Sequence, residues 1–315
     1  MHAIQTVLAA TDLSPASDRV LRTAAALARR AGARLHVVHA VEPMAAMPVP
    51  LFGAAGAGME AQVLQRAWLN ARAALDAQLG RVFADGAPHT PVFVEGESAP
   101  RAICAQAEQL QADLVVIGPH GDEEGAPLLG TTADAVLRSA PAPVLVVRGT
   151  VPLPAARLLV AADPSEPCAG IVDAALGWAA AFAPQATEGA AVRMDVVHVM
   201  LEIVSGRMPF RQATVEPGAN PALREAAARA PGVEVRERVL WGERVADTVL
   251  GYARETGPDL LVAGSHGRGA IARAFVGGTS SALARQAPCS VLLLPPALWM
   301  EPHGDGASGQ RIRTA

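Results

Sequence analysis

A series of short motifs runs through the first half of the chain and then recurs, in the same order, in the second half. VLAATD, ending at Asp12, returns as LLVAAD, ending at Asp163. LHVVHA, with His39, returns as MDVVHV, with His198; VEGE, around Gly96, returns as LWGE, around Gly242. ADLVVIGPHG matches PDLLVAGSHG, and SAPAPVLVV matches QAPCSVLLL. The offsets fall between 146 and 159 residues, far longer than any solenoid unit, so the repeat is a duplicated domain. The two units are expected at residues 1–150 and 151–298, meeting near GTVPLPAA, with 299–315 left as a flexible tail. The length of 315 residues gives each unit enough chain for its own core.

Each unit alternates short apolar runs with helical patterns. In the first, Val7 to Ala10 reads as a strand, and Ser17 to Ala31 as a helix with Val20, Leu21, Ala24, Leu27 and Ala28 on one face. Leu35 to Val41 is a second strand. A helix from Ala61 to Phe83, a strand from Thr90 to Val94, a helix from Pro100 to Leu110 and a strand from Leu114 to Ile117 follow. A helix from about Ala133 to Ser139 and a strand from Val144 to Val147 complete the unit. Such alternation implies an α/β fold with a parallel sheet. Aromatic residues make up 3% of the chain, so the core must be built from Ala, Val and Leu.

The most glycine-rich connection is LLVAGSHGRGAIARAFVGGT, Leu260 to Thr279. A strand that ends in glycines and leads into a helix exposes backbone N–H groups, which favour an anion. A turn of this kind that binds nothing is the bland alternative. The chain has no lysine, which excludes a Walker A loop. Gly264, Gly267 and Gly269 run GxxGxG, which is not the dinucleotide fingerprint. What remains is Gly264, two residues, Gly267, nine residues, Gly277, and this resembles the G-x2-G-x9-G-[ST] loop of the universal stress protein family. The resemblance covers about 150 residues twice.

The resemblance implies, for each unit, an open doubly wound parallel sheet of strand order 3-2-1-4-5, with adenine nucleotide at the switch between strands 1 and 4. Carried onto this sequence, the second-half contacts would be Asp163, Val197, Gly242, Gly264, Gly267, Gly277, Gly278 and Thr279. The first-half contacts would be Asp12, Val38, Gly96, Gly118, Gly121, Gly130 and Thr131. Asp12 and Asp163 are equally suited to Asx turns or helix caps, and Gly96 and Gly242 to plain turns. His39 and His198 read as core or rim histidines rather than catalysts.

Both loops depart from the pattern. Gly278 stands where a hydroxyl residue is usual, and Thr279 supplies the hydroxyl one position later. In the first half only eight residues separate Gly121 from Gly130, and they include Asp122, Glu123 and Glu124. Three carboxylates beside a triphosphate oppose binding unless a divalent ion bridges them; the ligand that the resemblance implies is ATP, which Mg2+ could accompany. Arg268 and Arg273 flank the second loop, which is therefore the expected principal site.

A formal charge of −4 argues against a nucleic-acid surface. Cys104, Cys168 and Cys289 are isolated, with no metal-ligand spacing, and suit buried thiols of a reducing compartment. Met1 to Ala10 develops no signal-peptide core, and prolines and glycines break Pro43 to Met59, so a cytoplasmic protein without a membrane span is expected. No base is placed for catalysis, and no SGGxDS-type or HIGH-like motif points to an adenylating ligase. Two readings stay open: an ATP-binding stress sensor or regulator, and a nucleotide-independent interaction module of the same fold with an unidentified protein partner. Strand 5 is an edge in this strand order, so Val144 to Val147 and Val291 to Leu294 are expected to pair and make an intramolecular pseudo-dimer, which leaves room for further homodimerisation.

Overall fold

The computed structural model describes residues 4–42, 54–120, 129–163, 168–182, 192–201, 203–205, 208–210, 221–230, 232–265 and 278–299. The first half runs β1 (Thr6–Ala10), α1 (Ser17–Ala31), β2 (Arg34–Val41), α2 (Ala54–Val82), β3 (Thr90–Glu95), α3 (Ala99–Gln109), β4 (Leu114–Ile117), α4 (Thr131–Ser139) and β5 (Val144–Val146). The second runs β6 (Arg157–Ala161), α5 (Cys168–Phe182), β7 (Val192–Leu201), a small hairpin of β8 (Ile203–Ser205) and β9 (Met208–Phe210), and α6 (Pro221–Arg229). It continues with β10 (Val233–Gly242), α7 (Val245–Thr256), β11 (Leu260–Gly264), α8 (Gly278–Gln286) and β12 (Ser290–Leu294), and a short 3-10 turn covers Pro296–Leu298.

Local chemistry sets the element ends. α1 carries Asp18 in its first turn and Arg29 and Arg30 in its last, complementing the helix dipole. It stops at Gly32, whose φ of 65° is left-handed. α3 starts after Ser98 with Pro100 in its first turn, and α7 stops at Gly257 in the same left-handed conformation. The central strands TVLAA, LVVI and SVLLL are buried on both faces, which is why they read as continuous apolar runs rather than alternating ones.

Each half has the strand order 3-2-1-4-5, as β3-β2-β1-β4-β5 and β10-β7-β6-β11-β12. All pairs in these two orders are parallel, and only the separate β8–β9 hairpin is antiparallel among the described pairs within a half. The two sheets are continuous with one another. β5 pairs antiparallel with β12, Leu145 opposite Leu292, and closes both edges into one ten-stranded sheet. Helices cover the two faces, and each face has one core drawn from both halves. Leu21, Phe83 and Leu145 share a cluster with Leu158, Phe182 and Leu294. On the other face, Ile103 and Val136 share one with Val249 and Leu283.

The connection between the halves is not a loose tether. Val151 and Ala155 are buried, and the Ala155 N–H donates to the Phe182 carbonyl at 2.7 Å. Arg148 clamps the junction. Its guanidinium donates to the Ala284 and Arg285 carbonyls at the end of α8, its backbone N–H donates to the Ser290 hydroxyl, and that hydroxyl donates back to its carbonyl. Asp134 of α4 pairs with Arg285 of α8 at 3.0 Å, so the two helices that follow the glycine loops are joined directly.

Candidate functional site at the strand-order switch

In the first half, a crevice of about 420 Å³ opens at the carboxyl ends of the strands, where the order reverses between β1 and β4. Asp12, Val38, Gly118, Gly130 and Thr131, all expected from the sequence, line it together. Gly96 is not among its lining residues, and Gly121 lies outside the described residues. Thr132, His39, His120 and Ile103 are among the other lining residues, and the sequence reading did not place Thr132, His120 or Ile103 there.

Asp12 is an Asx turn first. Its Oδ1 accepts from the Ser14 N–H at 3.0 Å, the Ser14 hydroxyl at 2.6 Å and the Ser17 hydroxyl, which ties the strand-to-helix turn to the start of α1. Burial alone would raise its pKa, but the hydrogen bonds from Ser14 and Ser17 outweigh it, and the carboxyl lies below its ordinary value of 3.8. With Oδ1 so occupied, Oδ2 is the oxygen available for a ligand hydroxyl or amine.

The turn around it is braced from below. The Thr11 hydroxyl donates to Gln78 Oε1 at 2.7 Å, and the Gln78 amide donates to the Ser14 carbonyl at 3.1 Å and to Asp18 at 2.8 Å. Asp18 also receives Arg81 at 2.9 Å. Desolvation works against its charged form, yet Arg81 and Gln78 hold its pKa low.

The repeated histidines do one job in both halves. His39 Nδ1–H donates to the Thr11 carbonyl at 2.9 Å, and His198 Nδ1–H donates to the Ala162 carbonyl at 3.0 Å. Each thereby fixes the residue just before Asp12 or Asp163. Beside them, the Val38 carbonyl accepts from Thr11 N–H and the Val197 carbonyl from Ala162 N–H, both at 3.0 Å. In the second half only, His198 Nε2 also lies 3.4 Å from the buried Glu237 carboxylate.

The glycines divide by cause. Gly96 has φ 85° with open space where a Cβ would be, so its backbone conformation demands it. Gly242 has an ordinary φ, but a Cβ there would overlap Thr248 of α7. Gly130 packs against the chain entering the loop: its N–H donates to the Pro119 carbonyl at 2.7 Å, and a Cβ would lie 3.3 Å from His120 Cα. That amide is therefore spent on closing the loop. Thr131, Thr132 and Ala133, which open α4 and whose backbone N–H groups have no helical acceptor, line the crevice.

In the second half, Asp163, Val197, Gly242, Gly264, Gly278 and Thr279 are described, whereas Gly267 and Gly277, with Arg268 and Arg273, lie outside the described residues. Val197 is buried and Asp163 exposed, matching the rim position of Asp12. The Ser280 hydroxyl donates to the Gly264 carbonyl at 2.6 Å, joining the two ends of the loop from the α8 side.

A universal stress protein family model matches residues 3–148 and again 155–295. A universal stress protein of Mycolicibacterium smegmatis is 29% identical over 303 residues, covering 92% of this chain and 97% of that protein. Universal stress protein A homolog 1 of Coxiella burnetii is 33% identical over 141 residues, 45% of this chain and 94% of its own length. Among solved structures, a universal stress protein from Archaeoglobus fulgidus has the same fold, with a TM-score of 0.59 and 19% identity over 92% of this chain and 96% of its own. With the duplicated motifs, the repeated strand order and two family matches that together span nearly the whole chain, the protein belongs to the universal stress protein family, as a tandem of two such domains.

Proposed function

We propose that this chain binds an adenine nucleotide, ATP with Mg2+, and acts as a stress-response sensor or regulator in the cytoplasm rather than as an enzyme. The observation that carries the reading is the first-half crevice. Its volume of about 420 Å³ suits a small-molecule ligand, and it sets a carboxylate rim at Asp12 opposite the amide-rich start of α4. A ribose hydroxyl or adenine amine would meet Asp12 Oδ2, and phosphate oxygens would meet the Thr131 and Thr132 amides and hydroxyls. The second half repeats the rim at Asp163 and the hydroxyl at Thr279, and its loop exchanges Asp122, Glu123 and Glu124 for Arg268 and Arg273. Coulomb attraction therefore favours the second half as the tighter site. The β5–β12 pairing supports the two halves working as an intramolecular pseudo-dimer.

A second reading, a nucleotide-independent interaction module, draws on two groups that a phosphate could have used. The Gly130 amide and the Ser280 hydroxyl are both satisfied within the chain. Mass spectrometry of natively purified protein, followed by calorimetric titration of the whole chain with ATP and Mg2+, separates the two readings. The nucleotide reading expects co-purifying nucleotide and a Kd between about 1 μM and 1 mM. On the nucleotide reading, Gly267→Val, which puts a β-branched side chain where backbone would have to approach phosphate, should weaken binding by more than about tenfold while the fold survives. No bound nucleotide and no heat would leave the interaction module as the function.

A further inference from the structure

Two spaces that the duplication makes equivalent are filled differently. In the second half the side chain of Trp299 lies against Gly264, and its indole Nε1–H donates to the Leu294 carbonyl at 3.1 Å. A Cβ on Gly264 would come within 2.8 Å of indole Cζ2 and 3.2 Å of Ile171 Cδ1, and a Cβ on Gly170 would overlap the Trp299 carbonyl. The first-half counterparts of Ile171, Gly264 and Leu294 are Val20, Gly118 and Val147, and these three line a cavity of about 230 Å³ between α1 and the ends of β4 and β5. It adjoins the Asp12 crevice at Ser17, Gly118 and His120, whereas Arg19, Val20 and Val147 line this cavity and not the crevice.

One polar group in the cavity lacks the partners that its counterpart has. The ladder between β11 and β12 continues past the strands, where the Ser265 N–H donates to the Leu294 carbonyl at 2.8 Å, and Trp299 brings a second donor to the same oxygen. Between β4 and β5 the ladder reaches the Val147 N–H, which donates to the Ile117 carbonyl at 2.9 Å. The next donor would come from Pro119, which has no N–H. The Val147 carbonyl therefore has no donor among the described residues, although Val147 is only 2% exposed. A buried acceptor left unmet costs free energy that a ligand N–H would recover.

Trp299 is a template for what such a space holds. A cavity of about 150 Å³ is enough for benzene, so one of about 230 Å³ accommodates a fused bicyclic ring. The Val147 carbonyl calls for a ring N–H where Trp299 presents its own to Leu294. The other end of the ring meets a different neighbour. In the second half Gly170 leaves room for the Trp299 main chain, and in the first half the equivalent residue is Arg19. A tryptophan within a polypeptide would put its backbone where the Arg19 side chain begins. A free ring whose short arm ends in a carboxylate would instead bring an anion beside the guanidinium. We propose that this cavity is a second small-molecule site, for a bicyclic heteroaromatic acid of the indole-3-alkanoate type, with its ring N–H on the Val147 carbonyl and its carboxylate toward Arg19. The site stands whether or not the crevice beside it holds a nucleotide.

The test is calorimetric titration and ligand-observed NMR of the full chain with indole-3-propionate, which keeps the ring, arm and carboxyl carbon of tryptophan without its amine. Wild type should bind it with a Kd of about 1 mM or tighter. The benzofuran analogue, equal in shape but without the N–H, should bind at least about threefold more weakly. Val20→Phe, which fills the cavity, should abolish binding. Arg19→Gln, at an exposed side chain outside the core, should weaken the acid at least about threefold and leave plain indole unchanged. N-acetyltryptophanamide, which carries a backbone on both sides, should bind at least about tenfold more weakly than the acid. Trp299→Gly, which empties the equivalent space, should let a second indole bind. No binding by wild type, or binding that Val20→Phe and Arg19→Gln both leave unchanged, overturns the site. Equal binding of the benzofuran analogue overturns the part given to Val147. N-acetyltryptophanamide that binds as tightly as the acid overturns the free acid in favour of a tryptophan side chain.

Discussion

At the scale of single residues, equivalent positions in the two halves keep the same amino acid for different physical reasons. Gly96 is held by its positive φ and Gly242 by the nearness of Thr248. Gly96→Asn should therefore cost less than Gly96→Val, for which a left-handed backbone costs roughly 1–2 kcal/mol, because Asn tolerates that region. Gly242→Ala should be relieved in part by Thr248→Ala, whereas no such partner exists for Gly96. Thermal unfolding of the four variants and the double variant checks both statements. Asp12 adds a pH dependence with a definite sign. Its folded pKa lies below the unfolded value, so its charge contributes stability above pH 4, and that contribution is lost as pH falls through the folded pKa. The stability gap between wild type and Asp12→Asn, which keeps an acceptor for Ser14 and Ser17 but not the charge, should close on acidification in urea melts from pH 7 to pH 2.5. A gap that stays constant would mean that the charge plays no part.

At the scale of elements, the helix that follows each glycine loop is also an interface element. α4 and α8 meet through Asp134 and Arg285, with Arg138 on the same carboxylate, and Arg148 caps the last carbonyls of α8. Burial lowers the Arg148 pKa, against a smaller opposing effect from Cys289, as expected for a cation drawn into the junction to satisfy helix-end carbonyls. Arg148→Ala leaves those carbonyls without their donor, at about 1–3 kcal/mol, and should speed limited proteolysis at residues 149–156. Cys289 lies beside this junction, and burial pushes its thiol up to about 12; the Cys104 thiol on α3 is raised for the same reason. Only the thiolate is alkylated, so at pH 8 native Cys289 should react at least about a hundredfold more slowly with iodoacetamide than in urea. A native rate near the unfolded one would show that the junction opens readily.

At the scale of the whole molecule, the β5–β12 pair joins the sheets of the two halves into one. Leu145, Leu292 and their neighbours are fully buried, and the cores on both faces contain residues of both halves. Calorimetry should therefore show a single unfolding transition for the full chain, with van't Hoff and calorimetric enthalpies in agreement. Val146→Asp or Leu293→Asp places an unpaired charge in that seam and should destabilise both halves together by several kcal/mol. Two resolved transitions, or halves that are each stable monomers with no tendency to associate, would mean that the seam does not couple them. Among the described residues no helix is long and apolar enough to cross a membrane.

The sequence by itself determined the duplication and the alternation of strand and helix, and its motifs carried the family resemblance that implied the strand order. Those depend on local periodicity and on motifs repeated in the same order, which carry their information along the chain. The resemblance also implied Asp12, Val38, Gly118, Gly130 and Thr131 as contacts, and the structure brings these five to one crevice. The sequence could not show that the Gly130 amide is already bonded to Pro119, or that Gly96 and Gly242 are glycines for unrelated reasons. Nor did it anticipate Trp299 seated on Gly264, since a residue in an expected tail acquires meaning only when the chain folds back onto β11 and β12. Hydrogen-bond commitment and close approach depend on distances between segments remote in sequence, and only the tertiary structure decides them.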